Sequence, residues 1–154
     1  MNKPETLFHY TSEDRFQKIM EKGKIVLSPS CLFRYKKLEP VFNQETGMWT
    51  HSDLEHDHIK PVVWLTDSKD ADRHGLYGKG TIRITVKTND SVAWWLDWQK
   101  RNRMNKFMFK TLTAGTNYGS WWVSEKEIPV SDILLAEDVI TGEVIYSADN
   151  VKVA

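Results

Sequence analysis

Short apolar runs, each delivered to a polar turn, set the pattern of this chain. Leu7-Phe8-His9-Tyr10-Thr11 is aromatic-rich and extended in character, and it stops at residues able to cap a helix. Thr11 or Ser12 can accept from the free amides of the next turn, Glu13 and Asp14 suit its positive end, and Phe16, Ile19 and Met20 recur at helical spacing. Gly23 supplies the left-handed residue that ends such a helix, and Lys24-Ile25-Val26-Leu27 reads as a second strand. Between Ser28 and Lys60 the polarity is mixed, with turn formers at Pro29, Pro40, Asn43 and Gly47, so this region is expected to be a long loop or a set of short pieces. Pro61 to Thr66 is the strongest buried-strand signal; Asp67-Ser68 can cap a short helical segment from Lys69 to His74, and a turn follows from Gly75 to Gly80.

The second half is richer in strands. Gly80 to Lys87 alternates, with Ile82, Ile84 and Val86 directed inward. Asn89 or Asp90 is expected to cap a helix through about Arg103, with Val92, Trp95 and Leu96 as its core stripe and Trp94 and Trp98 on another face. Extended segments are expected at Phe107 to Leu112, Ser120 to Ser124 and Ile133 to Ile140, the last turning at Thr141-Gly142 into Glu143 to Ser147. This order predicts an α+β fold: a single domain over 1–154 with a split or strongly bent, mainly antiparallel sheet and a few short helices.

Composition narrows the class. With 154 residues, 40% apolar and 12% aromatic, the chain suits one folded domain and not a disordered or low-complexity segment. No run approaches the roughly 18 apolar residues of a membrane span, so neither a membrane protein nor a secreted precursor is expected. The single cysteine, Cys31, points to a reducing cytoplasm. Twenty-one basic and 21 acidic residues cancel, yet the five basic residues between Trp98 and Ser124 (Lys100, Arg101, Arg103, Lys106 and Lys110) meet no acid there. Lys100, Arg101 and Arg103, beside Trp94 and Trp98, combine charge for phosphates with rings for stacking, a pairing suited to single-stranded nucleic acid. The competing reading makes the tryptophans core anchors and the cations partners of the helix dipole.

Three constellations can carry chemistry. His9 ends the first strand just before a helix whose first amides favour anions; its ordinary alternative is a hydrogen-bonded structural histidine. Trp64-Leu65-Thr66-Asp67-Ser68 brings hydroxyls and a carboxylate to the end of a buried strand, where simple capping is the alternative. In Ser124-Glu125-Lys126-Glu127-Ile128-Pro129, two glutamates two apart on extended chain point the same way, able to hold a ribose hydroxyl and stabilise a cationic sugar; a solvated turn is the alternative.

In this order the three motifs resemble the ADP-ribosyltransferase fold over roughly residues 7 to 140. The resemblance implies an NAD-dependent transferase in which His9 holds the ribose of NAD and the Trp64 to Ser68 segment frames the nicotinamide ribose. The catalytic carboxylate would be Glu127, with Glu125 second, kept ionised by Lys126 or an arginine. It makes His9, Tyr10, Thr11, Thr66, Ser68 and Tyr77 the cofactor-binding set, Tyr10 or Tyr77 stacking on nicotinamide. The chain departs from the His-containing branch in offering Trp64 and Thr66 where a tyrosine is common, and in having Pro129 so soon after the glutamates. In the related RNA 2′-phosphotransferases a histidine works with several arginines, a set that Arg34 and Arg83 would have to imitate. The implied acceptor is a protein side chain, a nucleic-acid base or phosphate, or water, in a toxin, a defence effector or a phage-encoded modifier. Two alternatives stand beside it: a catalytically silent domain of the same fold that binds a nucleotide or partner as an inhibitor or interaction module, and a metal-dependent enzyme using His51, His56 and His58, although no zinc spacing is matched.

Overall fold

Ser12 starts the first helix by accepting from the Arg15 amide, and Gly23 ends it at φ 79°, so the capping signals in the sequence set both of its ends. The computed structural model describes residues 2–28, 33–37, 41–50, 54–69 and 80–148, with the backbone alone for 33–37, 41, 50 and 54–58. Cys31, His51, Tyr77, most of the segment expected to be helical over 69–74 and nearly all of the 75–80 turn lie outside the described residues, as do the side chains of Arg34, His56 and His58.

The architecture is α+β with a mainly antiparallel sheet. In chain order the elements are β1 (Thr6–Thr11), α1 (Glu13–Lys22), β2 (Lys24–Ile25), β3 (Phe33–Lys37), β4 (Val41–Asn43), β5 (Met48–Thr50), β6 (Leu54–His58), β7 (Val63–Thr66), β8 (Ile82–Lys87), β9 (Val92–Trp94), α2 (Trp95–Arg101), α3 (Lys106–Thr113), β10 (Trp121–Ser124), β11 (Ile128–Pro129), β12 (Ile133–Asp138) and β13 (Val144–Ser147). Seven strands form one open sheet in the order β13-β12-β8-β1-β7-β10-β9; β2 pairs with β11, β3 with β6 and β4 with β5 as separate two-stranded units. The region from 28 to 60 is thus a set of short pieces where it is described.

The sheet is covered on both faces, which explains the continuous apolar runs of its central strands. Trp122, Val63 and Leu65 join Leu7, Ile84 and the α1 residues Phe16 and Ile19 in one core. Their neighbours Trp121, Val123 and Val62 join Trp95, Trp98 and Met104 in a second core, as alternation along a strand requires. At its centre the Trp95 ring lies 5.0 Å from Trp64, 5.8 Å from Trp121 and 5.9 Å from Trp98. Tertiary pairing corrects two expectations here. Val92-Ala93-Trp94 is the edge strand β9, opposite Ser124, Val123 and Trp122, so the helix expected from Asn89 begins only at Trp95. Asn89 closes a local turn by accepting from the Ser91 amide. Phe107 to Leu112 is helical rather than extended: Asn105 caps α3 through the Met108 amide, and Met108, Phe109 and Leu112 pack on the second core.

The remaining ends follow local signals. Lys24–Ile25 pairs with Ile128–Pro129, and the expected second strand stops there, with Ser28 making one further bridge to Val62. Gly142, at φ 75°, lets β12 turn into β13. Among the described residues no helix is long and apolar enough to cross a membrane.

Candidate functional site

β1, α1 and the chain just after α1 enclose a cleft of about 500 Å³. His9, Tyr10 and Thr11 come to it from β1, Trp64 from β7, and Arg15, Lys18 and Lys22 from α1, with Lys24 to Ser28 closing the far side. The antiparallel β1 to β7 pairing, with Phe8 opposite Thr66, brings the His9 ring within reach of the Trp64 backbone. His9 Nδ1 stands 2.8 Å from the Trp64 carbonyl oxygen. A carbonyl only accepts, so Nδ1 carries a proton and donates it there. Tyr10 is buried and its hydroxyl donates to the Ser68 carbonyl at 3.3 Å.

The structure therefore brings His9, Tyr10 and Thr11 to one cleft with Trp64. Thr66 and Ser68 sit elsewhere. The fully buried Thr66 hydroxyl donates to Ser120 Oγ at 3.2 Å and accepts from the Ser68 amide at 3.1 Å, while Asp67 accepts from the Trp122 indole at 3.1 Å. These contacts close the turn after β7.

The two glutamates are not held alike. β10 ends at Ser124, whose hydroxyl donates to the Lys126 carbonyl at 2.7 Å and accepts from the Lys126 amide at 3.3 Å, so the extended alternation that would align Glu125 with Glu127 is interrupted. Glu127 Oε1 lies 2.9 Å from Lys24 Nζ. That pair follows from the β2 to β11 pairing, and it puts the carboxylate one ion pair away from the cleft lining. Glu125 instead accepts from the Trp98 indole at 2.9 Å and from Lys60 at 3.3 Å. The Trp98 hydrogen bond holds its carboxyl below the usual value of 4.5 against the opposing effect of burial, with help from Lys60 and Arg101.

The expected aromatic and basic face is divided. Trp98 is 1% exposed and belongs to the second core, so it cannot offer a ring to a base. Trp94 is half-buried, its indole donating to the Gly119 carbonyl at 2.9 Å, and with Lys100, Arg101, Lys3 and Asp97 it lines a separate open hollow. Arg103 is exposed on the turn after α2. Among the described residues no group of three or more His, Cys, Asp or Glu side chains could hold a metal ion.

Sequence reasoning missed the cations of the cleft wall. Arg15, Lys18 and Lys22 recur at i, i+3 and i+7 of α1, a spacing that was there to read. Comparison with known proteins finds no matching protein family, no matching curated protein and no matching solved structure.

Proposed function

We propose that the chain is an NAD-dependent ADP-ribosyltransferase with an ADP-ribosyltransferase-like fold, transferring ADP-ribose to a macromolecular acceptor. One observation carries the reading: a cleft of nucleotide size in which His9, held on the Trp64 carbonyl, shares the lining with a row of cations, with Glu127 tied to the lining residue Lys24. The Lys24 ammonium, which lines the cleft, suits the diphosphate of NAD.

The chemistry asked of these residues is modest. The bond between nicotinamide and the ribose breaks, and nicotinamide leaves with the electron pair as positive charge develops on the sugar. An acceptor oxygen or nitrogen then forms the new bond and loses its proton. His9, its ring fixed by the Nδ1 hydrogen bond to the Trp64 carbonyl, orients the ribose in this reading. Glu127, released from Lys24 when the diphosphate takes that ammonium, accepts from the ribose 2′-hydroxyl and stabilises the developing charge. Such an interaction is stronger in the transition state than in the ground state, and so raises the rate. Glu125, bound to Trp98 and Lys60, serves the framework in this reading.

A second reading, a catalytically silent domain that binds a nucleotide or a partner, is favoured by one feature: Glu127 is engaged by Lys24 and does not itself line the cleft. Nicotinamide release from NAD by the purified chain, with and without cell lysate as acceptor, separates the two. Release that needs lysate and collapses in His9→Ala supports the transferase. A folded protein that binds NAD without releasing nicotinamide supports the silent domain.

A further inference from the structure

We infer that the face of α1 turned to the cleft is a track for the phosphates of single-stranded nucleic acid, which makes a nucleic-acid strand the acceptor. The helix carries three acids and three cations, and they are sorted by face. Arg15, Lys18 and Lys22 line the cleft, whereas Glu13, Asp14 and Glu21 do not. None of the three cations has an ion-pair partner among the described residues.

Helix energetics do not account for this arrangement. Lys22, in the last turn, suits the negative end of the helix dipole, but Arg15 sits in the first turn, where the same dipole disfavours a cation. An anion held in front of Arg15 offsets that cost. From Arg15 to Lys22 the row extends about 10 Å at 1.5 Å per residue, well beyond the stacked rise of about 3.4 Å per nucleotide, so it can face more than one phosphate of a strand. The two phosphorus atoms of a dinucleotide share one bridging oxygen and cover only part of that length. The other basic hollow is a poorer track: Asp97 lies in it, Lys3 Nζ already donates to the Asn89 carbonyl at 2.7 Å, and the neighbouring Trp98 is buried.

The inference depends on the transferase reading only in naming the strand an acceptor, so its test contains no NAD. Fluorescence anisotropy of a short labelled single strand is measured against salt for the native chain, for Arg15→Gln/Lys18→Gln/Lys22→Gln, and for Lys100→Gln/Arg101→Gln, with circular dichroism to confirm folding. The triple variant is expected to bind at least about tenfold more weakly, and its slope of log affinity against log salt to flatten by about 2, three contacts at about 0.7 each. The double variant is expected to stay near native affinity. Absence of binding by the native chain, an unchanged triple variant, or an equal loss in the double variant overturns the inference. So does displacement of the strand by inorganic triphosphate or poly-glutamate as effective as displacement by unlabelled strand. A chain that binds the strand but releases no nicotinamide keeps the track and loses the transferase, so the two failures are distinct.

Discussion

The indole N–H of Trp98 donates to the Glu125 carboxylate across 2.9 Å, tying α2 in the second core to the segment that leaves β10. One bond thereby absorbs two residues that sequence pattern alone offers to ligands. Glu125→Ala removes the acceptor and leaves a buried donor unpaired, which costs about 1–3 kcal/mol. Urea unfolding at neutral pH is expected to register that loss with no change in the slope.

The same bond sets a pH dependence. The carboxyl of Glu125 titrates lower in the folded chain than its ordinary 4.5, chiefly because Trp98 hydrogen-bonds the charged form. A depressed folded value means that the stabilisation is fully present above the unfolded value and is lost as pH falls through the folded one. The stability gap between native chain and Glu125→Ala should therefore be constant from neutral pH down to the ordinary carboxylate range and shrink below it. Urea midpoints at neutral pH and in acid check this; an equal gap at both contradicts it.

Gly80 approaches the start of the site so closely that no side chain fits. At φ 127° it lies in a region L-residues avoid, and a Cβ there would meet the Thr11 carbonyl and come 2.5 Å from the Ser12 amide nitrogen. Both neighbours are backbone, and neither can swing aside. Gly80→Ala is expected to cost about 3 kcal/mol and to disturb the strand-to-helix junction beside the cleft. Thermal unfolding measures the first effect and NAD affinity the second.

Lys24 and Glu127 make an ion pair that is 46% and 38% exposed, so its worth to the fold is small. Lys24→Gln should change stability by less than about 1 kcal/mol. Its effect belongs to the ligand: loss of a phosphate-facing ammonium raises KM for NAD about tenfold and leaves kcat within about threefold. Steady-state nicotinamide release, paired with a melting curve, separates the two effects.

What could be read from the sequence was local. The Ser12 cap, Gly23, the alternation of Ile82, Ile84 and Val86, and the Gly142 turn each act within a few residues, and each appears where pattern puts it. What escaped depends on distant partners. β9 exists because β10 lies beside it, and a helical stripe through Val92 cannot reveal that pairing. The site divides in the same way. His9, Tyr10 and Thr11 sit together because they are consecutive on β1, whereas Lys24 meets Glu127 across 103 positions through a two-residue strand pair. Arg15, Lys18 and Lys22 read as a solvated face until the cleft in front of them is seen.

The proposed role of Glu127 in the transition state of nicotinamide loss is tested most directly by the NAD kinetics of Glu127→Gln beside calorimetric NAD binding. In Glu127→Gln kcat is expected to fall about 10²- to 10³-fold while NAD affinity stays within about threefold of native, the pattern of an interaction made mainly in the transition state. Turnover equal to that of the native chain, or no nicotinamide release from either protein, would contradict it.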